Sequence, residues 1–191
     1  MKNEMIGSWG YNPRKAAHAA AFFILKANGS LNVLKLTKLL YLAERESMKQ
    51  FDDPMFYDRF VSMDYGPVPS TTRNLISGFA DSAVWNECIS ERSGHNVHLA
   101  SGEVNFESLD ELSRADETIL ERLWAKFGNY DRFKLAEYTH KNCPEWEHPK
   151  GSSTPISHEL VYKFLGKENS ESLSQDIEDY RKTSKRFADA C

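Results

Sequence analysis

The sequence predicts a mainly α fold: a compact helical domain around one buried central helix, with a single small β-hairpin. Three observations carry this. The stretch Leu31–Lys49 contains no Gly or Pro, and its apolar residues run nearly all the way round the helical wheel. Helix start and stop signals recur along the chain, as at Asn12-Pro13 before Asn28-Gly29 and at Ser113 before Gly128. Only one stretch, 83–100, places apolar residues on both sides of a Gly turn in the manner of paired strands.

Taken in order, residues 1–11 read as an N-terminal arm that Trp9 and Tyr11 pin to the core. Asn12 caps a helix with Pro13 in its first turn, and Asn28-Gly29 stops it. Ala16, Ala17, Ala19, Ala20 and Ala21 on this helix allow close approach by the central helix, so the two are expected as an antiparallel hairpin. Ser30 or Asn32 caps the central helix. Leu31, Leu34, Leu36, Leu39, Leu40, Tyr41, Leu42 and Ala43 surround it, so other elements must wrap it on several sides.

Phe60–Met63 reads as a brief extended piece. In Asp64–Pro69 a glycine and two prolines forbid helix. Ser70 or Thr71 then caps a helix reaching about Phe79. Val84, Trp85, Ile89, Val97 and Leu99 around Ser93-Gly94 suggest the hairpin, which must lie on helices because two strands alone are marginal. Ser113 and Asp116 form a capping-box pattern in a helical stretch over 109–127. Asp131 caps a helix to about His140, a loop covers 142–155, and Ser157–Leu165 is a short helix. Leu173–Ala188 reads as a final helix, acids early and bases late, in the order its dipole favours. The organisation expected is an arm at 1–11, a helical domain at 12–166, and a C-terminal helix within 167–191 packed on the domain or extending from it.

With 40% hydrophobic and 12% aromatic residues, the 191-residue chain has enough apolar material for a real core. A net charge of −4 disfavours a dedicated nucleic-acid binder. The terminal bases Arg181, Lys182, Lys185 and Arg186 read as a solvated helix end. No secretory leader is expected from Met1–Gly10, and no stretch suits a membrane span. Cys88, Cys143 and Cys191 form no disulfide framework, which fits a reducing cytoplasm.

Chemical signatures are sparse. His140, Cys143 and His148 give H-x2-C-x4-H, which lacks the fourth ligand of a zinc site, so no metal is expected. His140 beside Cys143 could be drawn as a base and nucleophile, but nothing supplies an oxyanion hole. His95 and His98 would face opposite sides of a strand. Asp52, Asp53, Asp58 and Asp64 sit among turn residues and read as solvated loop acids. No phosphate-binding or dinucleotide glycine pattern is present, and no cofactor is expected.

Three pieces, in this order, carry a resemblance: Leu36-Thr37-Lys38-Leu39-Leu40-Tyr41-Leu42-Ala43, then Tyr65-Gly66-Pro67-Val68, then Leu135-Ala136-Glu137-Tyr138-Thr139-His140 followed by Pro144 and Trp146. The sequence resembles the Panacea domain, the SocA-like antitoxin family, over about Pro13 to Leu165. It departs from the family pattern where Glu145 separates Pro144 from Trp146, and the 83–100 region and the tail after Gly166 match no motif. The resemblance implies a mostly helical, non-enzymatic antitoxin that neutralises a cognate toxin encoded nearby by direct binding. The alternative it implies is a protease adaptor or regulatory scaffold that delivers a bound partner for degradation by a cellular protease. A hydrolase using His140 and Cys143 is the remote alternative. The matched residues Lys38, Leu39, Leu40, Tyr41, Tyr65, Gly66, Pro67, Val68, Thr139, His140 and Trp146 are read first as holding the fold. A domain serving many toxins should keep its scaffold and vary its contact surface. The candidate toxin interface is therefore placed on the unmatched segments, at Trp85, Ile177, Tyr180 and Phe187.

Overall fold

The computed structural model describes residues 9–189. The N-terminal arm expected at 1–11 lies mostly outside the described residues; of it, Tyr11 is buried and its hydroxyl meets Thr72 Oγ1 at 3.0 Å. The elements in order are α1 (Pro13–Lys26), β1 (Ser30–Asn32), α2 (Val33–Phe51), β2 (Phe60–Met63), β3 (Gly66–Pro69), α3 (Ser70–Ser77), α4 (Ala83–Asn86), β4 (Asn96–His98), α5 (Arg114–Phe127), α6 (Arg132–Asn142), β5 (Thr154–Ile156), α7 (His158–Phe164) and α8 (Ser170–Asp189). The fold is mainly α with small antiparallel β elements.

Helix α2 is the axis of the packing. It touches α1, α3, α5, α6, α7, β1 and β3. Leu36, Leu39, Leu40, Tyr41 and Ala43 are wholly buried although they point in different directions from the helix. That is what an apolar residue on every face requires. Asn32 caps the helix through its side-chain oxygen, 3.1 Å from Leu34 N. The alanines of α1 are all wholly buried. Without bulk beyond Cβ, α1 lies close to α2, α4 and α5. Asn28 and Gly29 end α1 with positive φ, as its stop signal predicts, but β1 separates the two helices.

The capping box on α5 forms as read: Asp116 N donates to Ser113 Oγ at 3.2 Å, and Ser113 N to Asp116 Oδ2 at 2.8 Å. Gly128 follows the helix in a right-handed conformation, and its carbonyl accepts from the ammonium of the buried Lys35 at 2.6 Å.

The β-hairpin expected over 83–100 forms only in its second part: residues 88–93 fold back on 96–100, with Ser90 N donating to the His98 carbonyl at 3.0 Å, Ala100 N to the Cys88 carbonyl at 2.9 Å, and Ser93 paired with Asn96 across the turn. Residues 83–86 form a helical turn, capped by Ser82 Oγ, and this turn directs Trp85 into the core. Strand β4 pairs with β1, setting Val97 against Leu31, both buried, while Ile89 with Leu99 and Ser93 with Asn96 form isolated antiparallel bridges. A ribbon of 84–91 with 96–100 alone would leave Val97 no second apolar partner. A regular two-stranded hairpin joins β2 and β3 across Asp64-Tyr65, with Met63 opposite Gly66 and Phe60 opposite Pro69. β5 pairs with the other side of β2. The prolines of β3 are tolerated because β3 is an edge strand and can leave donors missing on its outer side.

Behind this small sheet lies a buried acidic knot. Glu44, on α2, accepts from Phe56 N at 3.1 Å and Asp58 N at 2.9 Å. Asp58 accepts from Thr71 N, Thr72 N and Thr72 Oγ1 at 2.9, 2.7 and 2.6 Å. It thereby caps α3, whose own N-cap residue is Pro69 and offers no side-chain acceptor. The reading of Asp58 as a solvated loop acid is corrected: it is wholly buried, and four backbone or hydroxyl donors replace its water.

Helix α8 packs along α7. Ile177 is buried, and Arg181, itself 6% exposed, donates to the Tyr57 and Asp58 carbonyls at 3.1 and 3.2 Å. Arg181 is therefore not part of a solvated basic end.

Candidate functional site

The three matched sequence pieces meet at one place. On α2, Lys38, Tyr41 and Arg45 stand three and four residues apart, so one helical face presents them together. The β2–β3 hairpin brings Met63 to Val68 onto that face. The end of α6 and the loop after it supply Thr139, His140, Cys143, Glu145 and Trp146.

Lys38 Nζ donates to the Pro67 carbonyl at 2.9 Å. Gly66 has φ +103°, and a Cβ there would stand 2.6 Å from Thr139 Oγ1, 3.1 Å from His140 Cδ2 and 3.2 Å from Lys38 Nζ. Only glycine meets both demands. The Trp146 indole donates from Nε1 to the Met63 carbonyl at 2.9 Å and lies flat on the His140 ring, with centroids 4.0 Å apart and planes 5° from parallel. Glu145, 2% exposed, takes the Tyr41 hydroxyl at 2.6 Å and Arg45 Nε at 2.6 Å on the same oxygen, Oε1. The residue that separates Pro144 from Trp146 is thus an anchor: Glu145 points inward to α2 while Trp146 closes over His140.

Burial sets the electrostatics. Desolvation brings Lys38 down to about 7. Burial pushes the Cys143 thiol up to about 12, with the Glu145 charge adding to the rise. Burial and the Lys38 charge lower His140, whose Nε2 has no hydrogen-bond partner. A thiol held this high yields almost no thiolate near neutral pH, and His140 Nε2 makes no hydrogen bond to it. The cluster is built to hold three segments together. His148 packs edge-on against Trp146, with centroids 5.9 Å apart; Lys150 N donates to its Nδ1 at 3.0 Å and Asp64 Oδ1 is 4.0 Å away. Among the described residues, no group of three or more His, Cys, Asp or Glu is placed to hold a metal ion.

Most of the matched residues are interior. Lys38, Leu39, Leu40, Tyr41, Gly66, Pro67, Val68 and Thr139 are buried, and His140 and Trp146 are half-buried. Tyr65 alone stands out, 59% exposed, with its ring 6.4 Å from that of Phe133, itself 55% exposed. Of the four residues expected at an interface, Trp85 and Ile177 are each 2% exposed, so their rings and methyls serve the core and offer no area to a partner. Tyr180 is half exposed but lies on Tyr57 at 4.5 Å, and Phe187 is fully on the surface. The sequence reading names Glu145 only as a departure from the family pattern and does not name Arg45. Arg45 follows Tyr41 at i+4, which puts it on the matched face; nothing local marks Glu145 as its partner.

Comparison with protein families matches residues 36–147 to the family described as Antitoxin SocA-like, Panacea domain. The match starts at the first residue of the α2 motif and ends one residue past Trp146, narrower than the resemblance over Pro13 to Leu165. Comparison with curated proteins and with solved structures yields no significant match. No helix among the described residues is long and apolar enough to cross a membrane. The matched stretch covers more than half of the chain and contains every contact of the three-segment knot; the chain belongs to the SocA-like antitoxin family with a Panacea domain.

Proposed function

We propose that this protein is an antitoxin that neutralises a cognate toxin encoded nearby, by direct protein–protein contact and without a catalytic step. The observation that carries the reading is that the family match coincides with a knot whose residues are spent on one another. Cys143, the nucleophile the sequence offers, is buried and held as the thiol. Cys88 and Cys143 are free thiols, in keeping with action in the cytoplasm. Residues 12–166 serve as the family's scaffold and α8 as a helix added to it.

The test is to induce the neighbouring gene alone and together with this one. Growth arrest alone, rescue on co-expression and an unchanged toxin level are expected. Rescue accompanied by toxin disappearance, dependent on a cellular protease, would assign the adaptor role instead. A harmless neighbour would overturn both. Cys143→Ala should rescue as well as the wild type; a folded variant that fails would restore the hydrolase reading.

A further inference from the structure

Beside the knot, between the start of α2, the β2–β3 hairpin and α3, runs an open groove of about 380 Å³. Val33, Leu34 and Met63, all half-buried, give it an apolar wall, and Tyr65 stands at its rim. Arg73 and Arg92 reach it from the other side.

Neither guanidinium is matched by a carboxylate among the described residues. Arg73 donates to the Asn74 side-chain oxygen at 3.2 Å and lies 5.3 Å from the exposed Phe79 ring. Arg92 donates to the Gly94 carbonyl at 2.6 Å. Both partners are neutral, so both charges remain. The two are close enough for Arg92 to act unfavourably on Arg73, whose pKa falls through burial first and this repulsion second. The one acid in the lining, Asp64, accepts from Gly151 N at 3.1 Å and has His148 Nδ1 4.0 Å from the same oxygen. In a chain of net charge −4, this is a locally positive groove with an apolar wall and exposed aromatics at its edges. Aromatic and Arg side chains around an apolar floor are the composition of binding hot spots.

We infer that this groove receives an acidic, apolar-flanked segment of the toxin, with a carboxylate between Arg73 and Arg92 and apolar side chains against Val33, Leu34 and Met63. The inference rests on the antitoxin reading and adds the surface and the chemistry it selects. An Arg pair can bind a carboxylate with two-pronged, charge-assisted hydrogen bonds, and that anion relieves the repulsion between them.

The experiment uses the full-length protein and the purified product of the neighbouring gene as the probe. Arg73→Gln and Arg92→Gln should each weaken binding about tenfold, and the double change to Glu should weaken it about a hundredfold or more. Raising the salt concentration should weaken wild-type binding and strengthen that of the double Glu variant, whose repulsion of the acidic segment it screens. Arg92 is exposed, so Arg92→Glu alone keeps the test open if an Arg73 variant fails to fold. Arg122→Glu, in a separate groove between α2, α5 and α6, is the control and should bind as wild type. Folded Arg73 and Arg92 variants that bind with wild-type affinity, or a loss confined to Arg122→Glu, would overturn the groove and leave the antitoxin reading standing. A wild-type protein that neither binds nor rescues would overturn that reading and this inference with it.

Discussion

Gly66 and Thr139 approach so closely that a Cβ on residue 66 would lie 2.6 Å from the threonine Oγ1. That oxygen cannot retreat easily, because it donates to the Ala136 carbonyl at 2.7 Å within α6. The hairpin and the end of α6 are locked at this point by the absence of a side chain. Gly66→Ala should therefore destabilise through both its positive φ and the overlap, by about 2–5 kcal/mol. Urea unfolding checks this; an unchanged midpoint would mean that the hairpin can shift without cost.

The Tyr41–Glu145 contact makes a second prediction. Glu145→Ala would strand a mostly buried Arg45 and remove the acceptor of the Tyr41 hydroxyl, so a loss of about 3–5 kcal/mol is expected. Tyr41→Phe should cost less, about 1–2 kcal/mol. The double variant Tyr41→Phe, Glu145→Ala should fall short of the sum of the singles, because the two share one hydrogen bond. Strict additivity would show that they are not in contact in solution.

Lys38 predicts a pH dependence with a defined sign. Its folded pKa is depressed to about 7, below the value of about 10.4 of an unfolded lysine. Between these values the unfolded chain holds a proton that the folded protein does not, so this group makes stability rise with pH across that window, by at most about 1.4 kcal/mol per unit. Two buried acids oppose it. Glu44, raised to about 8, lowers stability as pH rises towards 8, and Cys143, raised to about 12, does so above the usual thiol range. The measurement is therefore a comparison. The wild type should gain stability relative to Lys38→Met as pH rises from 7 to 10, and parallel curves would mean that the ammonium is not desolvated.

Arg181 ties α8 to the domain through two carbonyls on the connection before β2. Arg181→Ala should cost about 2–3 kcal/mol, since charge-assisted hydrogen bonds are lost and the carbonyls are left buried. Limited proteolysis should then cut first within α8. Cleavage at the wild-type rate would show that Ile177 alone secures the helix.

Several features of the fold are legible in a few neighbouring residues. Asn12-Pro13, Asn32, Ser113 with Asp116, and Asp131 mark helix starts because a cap is a contact between residues two or three apart. The encircling apolar residues of Leu31–Lys49 announce a buried helix for the same local reason. The 83–100 segment is legible only in part: the fold-back at Ser93-Gly94 forms, but the short apolar run at 83–86 does not distinguish strand from helical turn. Its outcome depends on β1, which lies far back in the chain and claims Val97.

The site divides in the same way. From the sequence alone came the mainly α class, the central helix, the glycine–proline turn and the order of the three family motifs. Only the tertiary structure decided that those motifs converge, that Glu145 is their anchor, that Asp58 caps α3 from outside, and that Trp85 is core while Arg73 and Arg92 share a groove. The physical reason is the range of the forces involved. Backbone caps and amphipathic periods are settled within a turn or two of chain. The value of a buried charge or an absent Cβ depends on what packing brings from about a hundred residues away, as Glu145 is brought to Tyr41 and Thr139 to Gly66.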